Sequence, residues 1–208
     1  YYRLMKSMSK KKLANAINVT PMAISNYESG KRTPDMEILK KIASVLNVRI
    51  ADFLIVRNEN IEFSHNEFRK YSSLSKEKQD LIYEIIEEYF SRFMDSVEIL
   101  GGNVLPNAPI CHTLKITHDP EVDALELRKH LNFAPDGPLD DLIGNLENKG
   151  FLILLQEIDD EKFSGINGFV NNRPYIMLNK KMSQERNRST IVHELAHLMF
   201  NWNEANLN

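Results

Sequence analysis

His193-Glu194-Leu195-Ala196-His197 constrains this chain more than any other stretch of its sequence. Ile191, Val192, Leu195, Leu198 and Met199 surround it with apolar side chains, so the segment reads as a buried helix. On a helix, His193 and His197 stand four positions apart and project from one face, one turn from each other. Two neutral imidazoles at that spacing suit a single Zn²⁺, and Glu194 then lies where it can take a proton from water. Two unrelated histidines on one helix would be the plain alternative. Burying three polar groups in an apolar helix without partners is costly, however, and this favours the metal reading.

The remaining composition sets limits. At 208 residues there is room for one or two domains with their own cores. No apolar run approaches the ~20 residues of a membrane span, and Tyr1 to Lys12 holds no signal-peptide core. The chain opens at Tyr1 rather than Met and stops at Asn208, so further residues beyond both ends are expected. Cys111 is the sole cysteine, which rules out an intramolecular disulfide. It leads us to expect a reducing cytoplasm and a small buried hydrophobe rather than a reactive thiol. The net charge of −3 conceals an asymmetry: residues 1–57 hold 11 Lys or Arg against four acidic residues, a balance of +7, and the remainder carries −10. Only the first part is suited to a polyanion.

That basic part is patterned as short helices. Ser9 is placed to cap a helix with Leu13, Ala14 and Ile17 inside. After a turn at Asn18-Val19, Thr20 caps a second helix with Pro21 at its first position and Ile24 and Tyr27 facing inward. Ser29-Gly30 closes it. Thr33-Pro34 opens a third helix carrying Met36, Leu39, Ile42, Ala43 and Leu46, and a last short helix covers about Ile50 to Val56. Two short helices joined by a tight turn in a small basic bundle form a helix-turn-helix arrangement.

Ser9 to Pro34, SKKKLANAINVTPMAISNYESGKRTP, resembles the XRE/Cro/C1 class of repressor domains. The pairs Leu13-Ala14, Thr20-Pro21, Ile24-Ser25, Tyr27-Glu28, Gly30-Lys31 and Thr33-Pro34 carry the resemblance. It implies that Thr20 to Tyr27 is a recognition helix in the major groove of a double-stranded DNA operator. Pro21, Met22, Ser25 and Asn26 would then face base edges, with Asn26 suited to adenine. Lys10, Lys31 and Arg32 would contact phosphates. Lys10 stands where the family often has Gln, which favours phosphate contact over base readout.

A polar stretch, Asn58 to Asn66, reads as a boundary. Ser75 then caps a long helix, with Leu74 placed as a hydrophobic staple. Leu81, Ile82, Ile85, Ile86, Tyr89, Phe90, Phe93, Met94, Val97 and Leu100 give the helix a broad apolar face. The face suits packing within its own domain or a homodimer seam, which a two-fold operator favours. Beyond Gly101-Gly102-Asn103, Asp119-Pro120 starts a helix to about Leu131, and Asp136-Gly137-Pro138 introduces another that stops at Gly150. Phe151 to Ile158 and Tyr175 to Leu178 read as buried strands, and Gly165 and Gly168 flank a hairpin-like region. The motif helix begins at about Glu185.

From about Asp119 to Trp202 this order resembles the ImmA/IrrE family of metallopeptidase-like domains. The resemblance is carried by Gly137-Pro138-Leu139-Asp140, Glu147 to Gly150, Arg173-Pro174-Tyr175-Ile176 with Asn179, and Arg186 to Thr190 ahead of the histidine motif. Asn66 to Gln79 is similar to the connector of chains that fuse a Cro-like domain to such a domain. Ser189 and Ala196 are small departures, at positions where the family usually has an aromatic and often Gly. The resemblance implies a third zinc ligand from a Glu on a later helix near an Ala-Asn pair, which Glu204-Ala205-Asn206 echoes. On an unbroken helix Glu204 would lie ~10.5 Å beyond His197, so it reaches the metal only if the chain turns back after Trp202.

The expected fold is therefore multidomain and mostly α, with an α+β part. An N-terminal five-helix helix-turn-helix bundle (1–57) leads into a connector with a long amphipathic helix (58–110) and a C-terminal zincin-like domain with a small β-sheet (111–208). The resemblances imply a DNA-binding transcriptional regulator, cytoplasmic and homodimeric, with no membrane partner. Its zinc domain would cleave a repressor protein to derepress mobile-element or stress genes, with Zn²⁺ on His193, His197 and Glu204 and with Glu194 as base. Two alternatives share the DNA-binding half: a repressor whose zinc domain only senses a ligand or partner, and an antitoxin-type autoregulator.

Overall fold

The computed structural model describes residues 1–54, 60–65 and 74–202. The chain divides into two compact units, Tyr1–Asn58 with Ser75–Glu88, and Glu59–Leu74 with Tyr89–Asn208.

In the first unit, helices α1 (Tyr2–Met5), α2 (Lys10–Ile17), α3 (Pro21–Glu28) and α4 (Met36–Leu46) precede a short 3₁₀ turn at Ile50–Phe53. Local chemistry starts and stops each of the longer three. The side chains of Ser9, Thr20 and Asp35 accept hydrogen bonds from the backbone N–H groups of Lys12, Ala23 and Ile38. Asn18 and Asn47 close α2 and α4 in the left-handed region, which Asn tolerates better than most residues. Leu13, Ala14, Ile17, Ile24, Ile42 and Leu46 form the shared core. Two expectations shift here. The third helix begins at Met36 rather than at Thr33-Pro34, because the Asp35 carboxylate supplies a strong cap one residue beyond the proline. The last helix is a 3₁₀ turn ending at Phe53, and Ile55 and Val56 lie outside the described residues.

Helix α5 (Lys76–Ile99) is the long helix expected after Ser75, whose hydroxyl accepts from the Lys78 N–H. Leu74, Ile82, Ile85, Ile86, Phe90 and Val97 are buried, whereas Tyr89, Ile99 and Leu100 are exposed.

The second unit holds a four-stranded mixed sheet in the order β1-β3-β4-β2, with β1 Phe63–His65, β2 Leu152–Gln156, β3 Gly165–Val170 and β4 Arg173–Asn179. Strands β1 and β4 pair antiparallel with β3, and β2 pairs parallel with β4, Leu152 opposite Tyr175. Strand β1 comes from the polar stretch that reads as a boundary, since three residues with one apolar position carry little periodicity. The hairpin also differs from expectation. Gly165 and Gly168 lie inside β3, and the β3–β4 turn is Asn171-Asn172, both at positive φ as a tight hairpin turn requires.

Helices α6 (Pro120–His130, capped by Asp119) and α7 (Leu142–Glu147, capped by Asp141) precede strands β2 to β4. Gly150 ends this run at φ +86°, with the Asn107 backbone occupying the space a side chain would need. Helix α8 (Gln184–Met199), capped by Ser183, packs on β3 and β4. Its inner face joins Leu131, Leu142, Leu146, Phe151, Ile153, Ile176 and Leu178 in one core. The last carbonyls of α8 would be orphans. The N–H groups of His112, Thr113 and Leu114 meet those of Leu198 and Met199.

Candidate functional site

Helix α8 presents two chemically different faces. Thr190, Ile191, Glu194, Leu195, Leu198 and Met199 are buried, while Val192 and His193 are exposed and His197 is half-buried. The Nε2 atoms of His193 and His197 stand 3.2 Å apart, with the two rings perpendicular. Two nitrogens of a tetrahedral zinc at ~2.05 Å would be separated by about 3.3 Å, so the pair already has the spacing that one ion requires. Trp202 lies against His197, ring centroids 5.3 Å apart, and its indole N–H donates to the Ala196 carbonyl.

Glu194 projects inward instead. One of its carboxylate oxygens, Oε2, accepts from Asn167 Nδ2 on β3 at 2.6 Å, and both residues are buried. Sequence reasoning did not single out Asn167. A polar residue between apolar neighbours in a glycine-flanked strand was the available signal, but nothing local pairs it with a helix 27 positions away.

Among the described residues no group of three His, Cys, Asp or Glu side chains is close enough to hold a metal. Glu204 lies outside the described residues. Helix α8 does not continue toward it: Met199 is its last residue, and Phe200 is extended and forms a parallel bridge with Leu114. The chain thus leaves the helix before Trp202. Cys111 packs on the core of this unit, and burial pushes its thiol up to about 11, which suits a packing role.

The surroundings of α8 are braced by long-range hydrogen bonds. Asn179, fully buried, accepts from the Ile158 and Lys181 N–H groups and donates to the Asp160 and Phe163 carbonyls. Arg188 donates to the Leu139 carbonyl and Arg186 to the Ser164 hydroxyl. Arg173 donates to the carbonyls of Pro106 and Gly150, and burial lowers its pKa from the ordinary arginine value. These are residues of the same stretches that carry the resemblance seen in the sequence.

In the first unit, α2 and α3 form the two limbs of a helix-turn-helix. Pro21 and Met22 are exposed on α3, Ser25 and Asn26 are half-exposed, and Ile24 points into the core. Lys10, Lys31 and Arg32 are exposed. Lys10 Nζ reaches Ser25 Oγ at 3.3 Å and Glu28 at 3.6 Å, so it sits beside α3 rather than apart from it. Glu28 is also gripped by Arg3, buried and bidentate, with contacts of 2.5 and 3.0 Å. This leaves the Lys10 charge less fully committed to Glu28 than a simple pair would.

No described helix is long and apolar enough to cross a membrane. No solved structure matches the chain. Residues 1–53 match the family described as helix-turn-helix, and residues 148–206 match the IrrE N-terminal-like domain. The second match spans β2, β3, β4 and α8, and with them Asn167, Glu194 and both histidines. The chain therefore joins a stretch similar to XRE-type helix-turn-helix domains to one similar to ImmA/IrrE peptidase-like domains, an order that supports a DNA-binding regulator with a peptidase-like domain.

Proposed function

We propose that the peptidase-like domain is a working zinc peptidase that cleaves a repressor protein, and so relieves repression of genes of a mobile element or stress response. The observation that carries this reading is the convergence of His193 and His197 Nε2, 3.2 Å apart, on the helix that holds Glu194. The two imidazoles would hold Zn²⁺, with Glu204 as the third ligand. Bound there, the ion would supply a Lewis acid for a peptide carbonyl and acidify a water. Glu194 would be the residue that accepts a proton from the attacking water and returns it to the leaving amine. His193, being exposed, leaves the imidazole pair accessible to an extended peptide, while the core beneath α8 keeps the helix rigid.

The DNA-binding half supplies the address. Pro21, Met22, Ser25 and Asn26 read base edges, Lys10, Lys31 and Arg32 grip phosphates, and the chain works as a homodimer on a two-fold operator. Helix α5 is the dimer seam of choice because Tyr89 and Ile99 on it, and Leu100 just past its end, remain 46, 85 and 67 % exposed. Sedimentation at micromolar concentration should show a dimer that Tyr89→Glu with Leu100→Glu dissociates. A wild-type monomer would remove this part of the reading.

The decisive experiment is Glu194→Gln in a promoter-reporter strain. Zinc content should stay at the wild-type level, because Glu194 is not a ligand, while repressor cleavage falls about 10²–10⁴-fold. His193→Ala should lose the zinc as well. A Glu194→Gln chain that derepresses normally, with no cleaved repressor on a blot, would overturn the peptidase in favour of a sensor.

A further inference from the structure

We infer that Asn167 is a positioning residue for Glu194, and that Gly165 exists to bring the two within reach. The inference borrows its functional consequence from the peptidase reading, but the contact itself stands apart from it.

The argument is one of matched spacing. Gly165 and Asn167 are two residues apart on β3, so they share a face of the strand. Thr190 and Glu194 are four apart on α8, so they share a face of the helix. At the first rung, a Cβ added to Gly165 would lie 2.7 Å from Thr190 Cγ2 and 2.8 Å from the Met177 carbonyl oxygen. Gly165 has no positive φ that would call for glycine, so its missing side chain answers to the closeness of α8 on one side and of the Met177 carbonyl on β4 on the other. At the next rung, Asn167 Nδ2 meets Glu194 Oε2 at 2.6 Å. Two residues of strand advance ~6.7 Å and four of helix ~6 Å. The two elements therefore stay in step from the glycine contact to the hydrogen bond.

The residue type follows from chemistry. Asn167 and Glu194 are only 2 and 4 % exposed. Asn167 turns its amide NH₂ toward that carboxyl oxygen, a donor facing an acceptor. Asp at 167 would set two carboxylates together, and Leu would leave the carboxylate without this donor in a buried setting. Asn donates without adding charge. Its backbone lies on an inner strand of the sheet, between β1 and β4 and opposite Ile176. A glutamate on a helix has three side-chain torsions to settle. Anchoring its far end to the sheet fixes where the carboxylate sits beneath the helix that carries His193 and His197.

The test uses the full chain. In a ¹⁵N spectrum, one side-chain amide proton of Asn167 should resonate well downfield of ordinary Asn amides and return upfield in Glu194→Leu. Gly165→Ala should move it in the same direction by forcing α8 outward. In urea, Asn167→Leu should shift the unfolding equilibrium about tenfold while Glu194 is present. It should shift it less than about threefold in a Glu194→Leu background. Where the chain cleaves its target, Asn167→Leu should lower kcat with KM and zinc content unchanged. Additive urea shifts together with an ordinary Asn167 amide signal would overturn the inference, even if Glu194→Gln proves inactive. An unchanged kcat in Asn167→Leu would do the same if Glu194→Gln is dead. A coupled pair supports it when Asn167→Leu also lowers kcat, and equally when Glu194→Gln proves active and the peptidase reading falls.

Discussion

The two units of this chain solve the problem of placing a functional side chain in opposite ways. In the helix-turn-helix unit most of the organising hydrogen bonds are local. Ser9, Thr20 and Asp35 each cap a helix three residues away, and Asn18 and Asn47 end theirs. The groups proposed to meet DNA then stand outward on α3 and at its edges, where exposure is all they need. In the IrrE-like unit the organising bonds cross the sequence. Asn167 reaches Glu194, Arg188 reaches Leu139, and Arg173 reaches Pro106. Groups proposed to meet a polyanion work at the surface in high dielectric, whereas a carboxyl proposed to handle a proton is buried and held by a partner. The contrast teaches that one half can be built from short segments that each fold to a rule. The other must be assembled before any of its polar groups makes sense.

The strongest way to break this contrast is to remove the first half. A chain starting at Asn66 should lose operator binding altogether, while the whole chain binds with steep salt dependence. If Lys10, Lys31 and Arg32 each neutralise one phosphate, affinity per protomer should fall about 40-fold between about 50 and 200 mM salt. Electrophoretic mobility shifts across a salt series measure it. Lys10→Ala should weaken all sequences alike, and Asn26→Ala should relax base preference by about 1–3 kcal/mol. Equal binding by the truncated chain would end the assignment.

A smaller effect sharpens the contrast within the protein's stability. Asn179→Ala strips four hydrogen bonds from a fully buried position and should cost about 3 kcal/mol. Fluorescence of Trp202, the only tryptophan, reports unfolding of the second unit in urea. Thr20→Ala removes one exposed cap and should cost only about 1 kcal/mol, followed by circular dichroism. If the cap proved the costlier of the two, the division between local and long-range control would fail.

How much was legible in advance follows the same line. Ser9, Thr20-Pro21 and the apolar spacing of α4 announced their helices because caps and periodicity act within a few residues. The buried runs of β2 and β4 were visible for their continuous apolar composition. Strand β1 was not, because three residues offer no pattern and its pairing with β3 joins positions more than 100 apart. The β3–β4 turn lies at Asn171-Asn172 rather than between Gly165 and Gly168, because Asn also adopts the positive φ that the turn requires, while neither glycine has it. At the candidate site on α8, the imidazole pair is legible from the four-residue spacing of His193 and His197, whereas the meeting of Glu194 with Asn167 is not.

Sequence alone therefore determined the periodic and capped elements, the charge division at residue 57 and the two ligand-type imidazoles on one helical face. These are properties of residues within one or two turns of each other, where backbone geometry is dictated locally. Tertiary structure decided the strand order, the early end of α8 at Met199 and the meeting of Asn167 with Glu194. Those depend on how closely a helix approaches a sheet. That distance is set by which side chains are absent from the contact, here Gly165 against Thr190, and no local rule within the sequence encodes it.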